Sequence, residues 1–128
     1  DARRIIIHKQ FESSLGDVLI DSDMLYQALL NLLINAMQAI EKDGCIDIVL
    51  TEHHSQVKLT LHDSGPGIDE SIRDKIWDPF FTHKEKGTGL GLGIVKQIIE
   101  AHDGLITITN AAPGGALVEI LLPLYRET

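Results

Sequence analysis

A single cysteine, Cys45, is all this chain of 128 residues has, so no internal disulfide can staple the fold and a hydrophobic core must hold it. A lone thiol suits a reducing cytoplasm, and that is the expected compartment, whether or not the parent protein is anchored to a membrane. No apolar run approaches the roughly 18 residues of a membrane-spanning helix, and no stretch reads as a secretory signal. Positive charge is scarce as well: 11 Lys and Arg stand against 19 Asp and Glu, a net charge of −8. A duplex-binding face needs clustered cations to neutralise phosphates, so nucleic acid is not an expected partner. An anionic ligand would have to be held by local means: a cation, backbone N–H groups or a few placed lysines. Two familiar phosphate-binding signatures are missing. No Gly-Lys pair exists, which excludes the P-loop; G-x-G-x-x-G fails because Leu92 and Ile94 fall where its last glycine should be.

What is present fits one domain with a proper core. Residues 5–11 read as a strand and 18–20 as a short second one after a turn at Gly16-Asp17. Asp21 or Ser22 can cap a long helix that runs to about Glu41 and stops near Gly44. In the next two strands Ile46, Ile48, Leu50 and Val57, Leu59, Leu61 alternate with Asp47, Thr51, Lys58 and Thr60, which face away. Residues 63–88 are irregular and rich in Gly, Pro, Asp and Lys, with a short helical possibility at 70–76; that exceeds ordinary connection lengths and marks a functional segment. A second helix at about 91–102 has Ile94, Val95, Ile98 and Ile99 on one face and ends at Gly104. Ile106, Ile108 and Val118, Ile120, Leu122 form a last hairpin turned at Pro113-Gly114-Gly115. One apolar face per strand predicts a mixed, mostly antiparallel sheet with helices on one side: a two-layer α+β sandwich.

Three stretches carry chemistry. The first is "NLLINA", residues 31–36, where two amides interrupt an otherwise apolar helix. Gln27, Asn31 and Asn35 fall on one face, with Gln38 beside them. Such a stripe either bonds to neighbouring backbone or lines a polar cavity, where an Asn carbonyl is a hard, neutral ligand for Mg²⁺. The second is "DSGPGI", residues 63–68, directly after a strand. It reads as a plain turn, or as a pocket in which Gly65 and Gly67 admit a flat ligand while the acceptor-only carboxylate of Asp63 takes the exocyclic amine of adenine. The third is "DPFFTHKEKGTGLGLG", residues 78–93, with alternating glycines leading straight into a helix. Its N–H groups and the positive helix end can cradle phosphate. Three lysines (84, 86 and 96) against Glu85 make this segment locally positive in an acidic chain, which meets the charge requirement. Four glycines that each cost roughly 0.5–1 kcal/mol against Ala fit a flap that closes over a ligand better than an idle loop.

In this order and spacing, these stretches resemble the catalytic ATP-binding domain of sensor histidine kinases, of the nitrogen-regulation type, within the superfamily that also holds gyrase, the large heat-shock chaperone and MutL. "NLLINA" is similar to the N box, "DSGPG" to the G1 box, "DPFFTHKEKG" to the F box and start of the lid, and "GTGLGL" to the G2 box. The resemblance covers nearly the whole chain and implies a Bergerat-type sandwich. It implies that Asn35 ligates Mg²⁺, that Asn31 faces the phosphates and that Asp63 binds the adenine amine, with Gly65, Gly67 and Ile68 shaping the pocket. Phe80 and Phe81 would anchor the lid. Lys84 and Lys86 would lie in it, Lys84 acting in catalysis with Asn31 and Asn35, and Gly87, Thr88, Gly89, Leu90 and Gly91 would wrap the triphosphate. Where many relatives carry Lys and Tyr three and four residues after the magnesium Asn, this chain has Gln38 and Ala39, so Gln38 lines the site and Lys84 or Lys86 is left to supply the charge.

The resemblance also implies transfer of the γ-phosphoryl group of ATP to a histidine on a separate phosphoacceptor and dimerisation domain of the same kinase, with a response regulator receiver domain served indirectly. None of the six histidines fits that acceptor role: His62 and His102 precede Asp but end a strand and a helix, and His83 falls in the lid. The stretch is therefore expected to be the catalytic part of a longer, homodimeric kinase, itself monomeric and inactive without the acceptor domain. Rival readings are an anti-sigma-type serine kinase, a hydrolysing ATPase of the same superfamily, and a bare adenine-nucleotide binding module. Hydrolysing members carry a Glu one turn before the magnesium Asn; here Asn31 stands there, and an amide cannot accept a proton from water at neutral pH. Turnover of ATP by the isolated chain is expected to stay below about one per second, the lower end of ordinary enzyme rates; a phosphate-release assay checks this, and faster turnover would restore the hydrolase reading.

Overall fold

The computed structural model describes residues 4–78, 90–112 and 114–125. Five strands and two helices appear in the order β1 (Ile5–Phe11), α1 (Ser22–Ala39), β2 (Gly44–His53), β3 (Gln56–Asp63), α2 (Leu90–Ala101), β4 (Leu105–Asn110) and β5 (Ala116–Pro123), with one 3₁₀ turn at Glu70–Ile72. The strands form one sheet in the order β1-β2-β3-β5-β4. Among the described residues only the β1–β2 pair is parallel, and α1 is the crossover between its strands. All the other pairings are antiparallel.

Alternation along the strands sets the two faces. Ile46, Leu61, Ile106, Ile108, Val118, Ile120 and Leu122 point to one side and are buried with Ala28, Leu32 and Ala36 of α1 and Val95, Ile98 and Ile99 of α2. Lys58 and Glu119 lie on the opposite, solvated face, paired diagonally across β3 and β5 at 3.0 Å. The β2–β3 hairpin turns through His54 and Ser55, both left-handed (φ 52° and 66°), which matches the twist of its strands.

The expected strand at 18–20 is not one: residues 12–21 carry no strand pairing. Val18 packs against the core, and the segment is tied to its surroundings by scattered bonds rather than a ladder: Glu12 N–H to the Leu50 carbonyl at 2.9 Å, Gly16 N–H to the Glu52 carboxylate at 2.7 Å, and Tyr125 N–H to the Asp17 carbonyl at 2.7 Å. The physical reason is connectivity. The chain must leave β1 and climb to the helical layer here, so the apolar alternation serves packing rather than a ladder. The helical possibility at 70–76 reduces to the 3₁₀ turn, followed by turns to residue 77. Beneath the first half of α1 lies an apolar cavity of about 490 Å³, lined by Phe11, Leu15, Tyr26, Leu30 and the strand residues Leu50 and Leu59 among others. Hydrocarbon walls offer no donor to a phosphate, so this cavity is not a triphosphate site.

The ends of the two helices are tied by one histidine. Asp21 caps α1, its carboxylate accepting the N–H groups of Asp23 (3.0 Å) and Met24 (3.1 Å). The backbone N–H of Asp21 donates to Nε2 of His102 at 2.8 Å, so that nitrogen is an acceptor. Nδ1 must then carry the proton, which it gives to the Ile98 carbonyl at 2.7 Å near the end of α2. His102→Ala leaves a donor on α1 and an acceptor on α2 without this partner and is expected to lower stability by about 1–2 kcal/mol. Urea unfolding checks it; an unchanged midpoint would show that water replaces the imidazole.

Candidate nucleotide site

Asp63 is the one buried polar or charged side chain among the described residues, at 5% exposure, and it sits at the end of β3. Its Oδ1 accepts N–H groups from two directions: Gly65, two residues on, at 2.8 Å, and Ala116, at the start of β5, at 3.4 Å. The second bond is long, and the first carries the orientation. Oδ2 receives no hydrogen bond among the described residues. Every fully buried polar side-chain atom there has a partner, so Oδ2 must open to the surface. The result is a carboxylate held by one oxygen and presenting the other, which suits a ligand that donates one hydrogen bond.

Backbone contacts bring this loop against α1. A Cβ at Gly65 would lie 2.9 Å from the Ala39 carbonyl oxygen, so the loop rests on the last residue of the helix, and only glycine fits there. Asn35 lies one turn before Ala39, about 6 Å along the axis. Asn31 and Asn35 are half-buried, whereas Gln27 and Gln38 are exposed. The amides are therefore not sealed in the core; the polar stripe runs along the rim of α1 towards the Asp63 loop. Ser64 extends the β2–β3 pairing by one step, with its N–H on the Cys45 carbonyl (3.0 Å) and its Oγ accepting the Cys45 N–H (2.9 Å).

The β4–β5 turn closes the loop from the other side. Gly115 is left-handed (φ 87°), and a Cβ there would collide with the Asp63 carbonyl oxygen. His62 Nε2 lies 2.7 Å from the Gly114 carbonyl, to which it can only donate. Asn110 pairs with the backbone of Ile68, and Ile68 itself packs against the core. Nothing in the local pattern around Asn110 announced that contact, because its partner lies 42 residues away in sequence. Trp77, also against the core, has the Lys96 ammonium 5.2 Å from its ring centre, which ties the end of the loop segment to α2.

Phe80, Phe81, Lys84, Lys86, Gly87, Thr88 and Gly89, with His83, lie outside the described residues. Leu90 begins α2, and Gly91 is buried within its first turn. Among the described residues no group of three His, Cys, Asp or Glu side chains could hold a metal ion. Among the described residues, a divalent cation such as Mg²⁺ would need phosphate oxygens and water to complete a shell begun by a neutral amide such as that of Asn35.

A domain that leaves one carboxylate oxygen open beside a rim of amides, under a mostly antiparallel sheet with one parallel edge, belongs to a recognisable class. The chain is a member of the histidine kinase-, DNA gyrase B- and HSP90-like ATPase family, whose profile matches residues 20–126. It is 41% identical over 125 residues to the signal transduction histidine-protein kinase AtoS of Escherichia coli (strain K12), covering 97% of this chain and 21% of AtoS. It is 38% identical over 124 residues to the sensor histidine kinase ZraS of the same strain, covering 97% of this chain and 27% of ZraS. Among solved structures, the nucleotide-free catalytic domain of the histidine kinase ThkA superposes with a TM-score of 0.85 at 35% identity, over 94% of this chain and 79% of that one. ThkA in complex with the response regulator protein TrrA matches with a TM-score of 0.79 at 31% identity, over 94% of this chain and 34% of that one. The chain thus spans about a quarter of the length of these curated relatives.

Gly115→Ala is expected to cost at least about 1–3 kcal/mol, the usual scale for a non-glycine residue forced into sparsely populated backbone, and to displace Asp63. Thermal unfolding and nucleotide titration on the same sample check both halves.

Proposed function

We propose that this chain binds Mg-ATP and passes the γ-phosphoryl group to a histidine on a separate phosphoacceptor domain of the same kinase, as the catalytic unit (residues 1–128) of a two-component sensor. The observation that carries this reading is the carboxylate of Asp63, anchored through Oδ1 in a loop that rests on Ala39, one helical turn beyond Asn35. Oδ2 would accept the adenine 6-amino group and oppose the guanine carbonyl at the equivalent ring position. Gly65, Gly67 and Ile68 would shape the wall against the base. Asn35 would offer its carbonyl oxygen to Mg²⁺, and Asn31 would face the phosphates, with Gln38 at the rim. Phe80 and Phe81 as lid anchors, Lys84 and Lys86 as its cations, and the residues from Gly87 to Gly91 as the phosphate wrap belong to the same proposal and rest on the family likeness. The cation, when bound, would neutralise charge on the triphosphate.

No side chain here is offered as a base for water. The residues bind, orient and exclude solvent, and the transfer depends on positioning of donor and acceptor. A response regulator is proposed as the final recipient, by likeness to kinases of this family, and a cytoplasmic setting with access to ATP completes the reading.

Titration of ATP and GTP, with and without Mg²⁺, tests the site. Asp63→Ala is expected to weaken ATP by about tenfold or more and to remove the preference over GTP, the scale of one hydrogen bond to a charged group. Asn35→Ala is expected to remove the metal dependence while sparing the base preference. Parent-like binding by both variants would sink the assignment. With a phosphoacceptor domain added in trans, γ-labelled ATP is expected to yield an acid-labile product; an acid-stable one would favour the serine-kinase reading.

A further inference from the structure

We propose that Asn110 is a positioning residue for the nucleotide loop, setting the place of Ile68 and Gly67 against the base. This rests on the nucleotide reading of Asp63 given above. Asn110 is the last residue of β4, and its carboxamide makes a two-point bond to a single residue: Oδ1 accepts the Ile68 N–H at 2.7 Å, and Nδ2 donates to the Ile68 carbonyl at 2.7 Å. The side chain thus behaves as a surrogate peptide group, pairing with the loop as a neighbouring strand would. The carboxamide carries its acceptor and its donor on two neighbouring atoms, as a peptide group does, so the contact also fixes which way it is turned.

A second observation bears on the same point. Gly67, immediately before Ile68, is left-handed at φ 85°, and a Cβ on it would come within 2.6 Å of Asn110 Oδ1. The glycine and the asparagine therefore fit each other: the loop can carry no side chain where the amide seats. The Asp63 end of the loop is held independently, by Gly65 and Ala116. Asn110 holds the far end, and the segment between the two anchors is the part the base would meet.

Asn110 itself is exposed and contributes nothing to the buried core. Both bonds of Asn110 lie in contact with water, whereas the imidazole of His102 is half-buried, so they add less to global stability than the His102 pair. Removing the amide should release the loop without unfolding the domain. That separates a positioning role from a purely structural one.

The test uses the 128-residue chain and its Asn110→Ala and Asn110→Asp variants, with Asp63→Ala in parallel. ATP affinity is measured with Mg²⁺, together with amide hydrogen exchange at Ile68 and the thermal midpoint. For Asn110→Ala the expected result is ATP binding weaker by about tenfold, the scale of one or two ordinary hydrogen bonds, with faster exchange at Ile68 and a nearly unchanged midpoint. Asn110→Asp keeps the acceptor for the Ile68 N–H but sets a carboxylate against the Ile68 carbonyl. It should bind ATP no better than Asn110→Ala. Parent-like affinity in either Asn110 variant overturns the proposal while a weakened Asp63→Ala leaves the nucleotide site standing. A fall in midpoint that accounts for the lost binding overturns it too, since the role would then be global. Should Asp63→Ala also bind like the parent, the nucleotide reading fails and the positioning role falls with it.

Discussion

A carboxylate on a residue only 5% exposed is costly unless its charge is answered, and several of this fold's irregular features answer the one at Asp63. The Gly65 N–H reaches back to it within the loop, and the Ala116 N–H approaches from a strand that enters the sheet much later in the chain. To bring that strand in, the β4–β5 turn must pass directly over Asp63, and only a residue without a side chain can do so at 115. To seat the loop on α1, only a residue without a side chain can stand at 65. The glycines of "DSGPG" and of the last hairpin are thus two halves of one requirement, imposed by a charge placed where a core residue would ordinarily be.

The helical layer is organised around a different constraint, close approach. Ala28 and Ala36 sit on the buried face of α1 with Leu32 between them, and α2 presents Val95, Ile98 and Ile99 to the same core. Small residues on one helix let β-branched residues on the other come near the sheet, so the two helices share one apolar face and leave the rim of α1 for amides. His102 then fixes their relative ends through the α1 cap. The polar edge of α1 and the Asp63 loop meet because helix, cap and sheet are all tied to common points.

Much of this was legible in the residues. Period-2 alternation in residues 46–50, 57–61 and 106–122 gave the strands, the apolar stripe of residues 94–99 gave α2, and Asp21 was readable as a cap. Asp63 stood out because an acidic residue ended an otherwise apolar strand before two glycines. The short apolar run at 18–20 misled, since three residues carry too little pattern to distinguish a strand from a connection that packs its side chains inward. Asn110 was invisible for another reason. An Asn before a Pro-Gly-Gly turn is ordinary turn chemistry, and its true partner, Ile68, is a backbone far away in sequence that no local window contains. In the fold, Asn31 and Asn35 lie half out of the core and Gln27 and Gln38 stand in solvent. Sequence spacing put the four on one side of the helix but could not say how deep that side lay.

The order of strands has a consequence for biosynthesis. β5, the last strand formed, occupies an interior position between β3 and β4 rather than an edge. A chain emerging from the ribosome can pair β1, β2 and β3, but it holds β3 with one flank bare until residues 116–123 are out. The anchoring of Asp63 shares that fate, because one of its two backbone donors belongs to Ala116. Sheet closure and the full anchoring of Asp63 are therefore completed by the same late event, and a nascent chain stalled before it would expose an unpaired strand and leave that carboxylate half held.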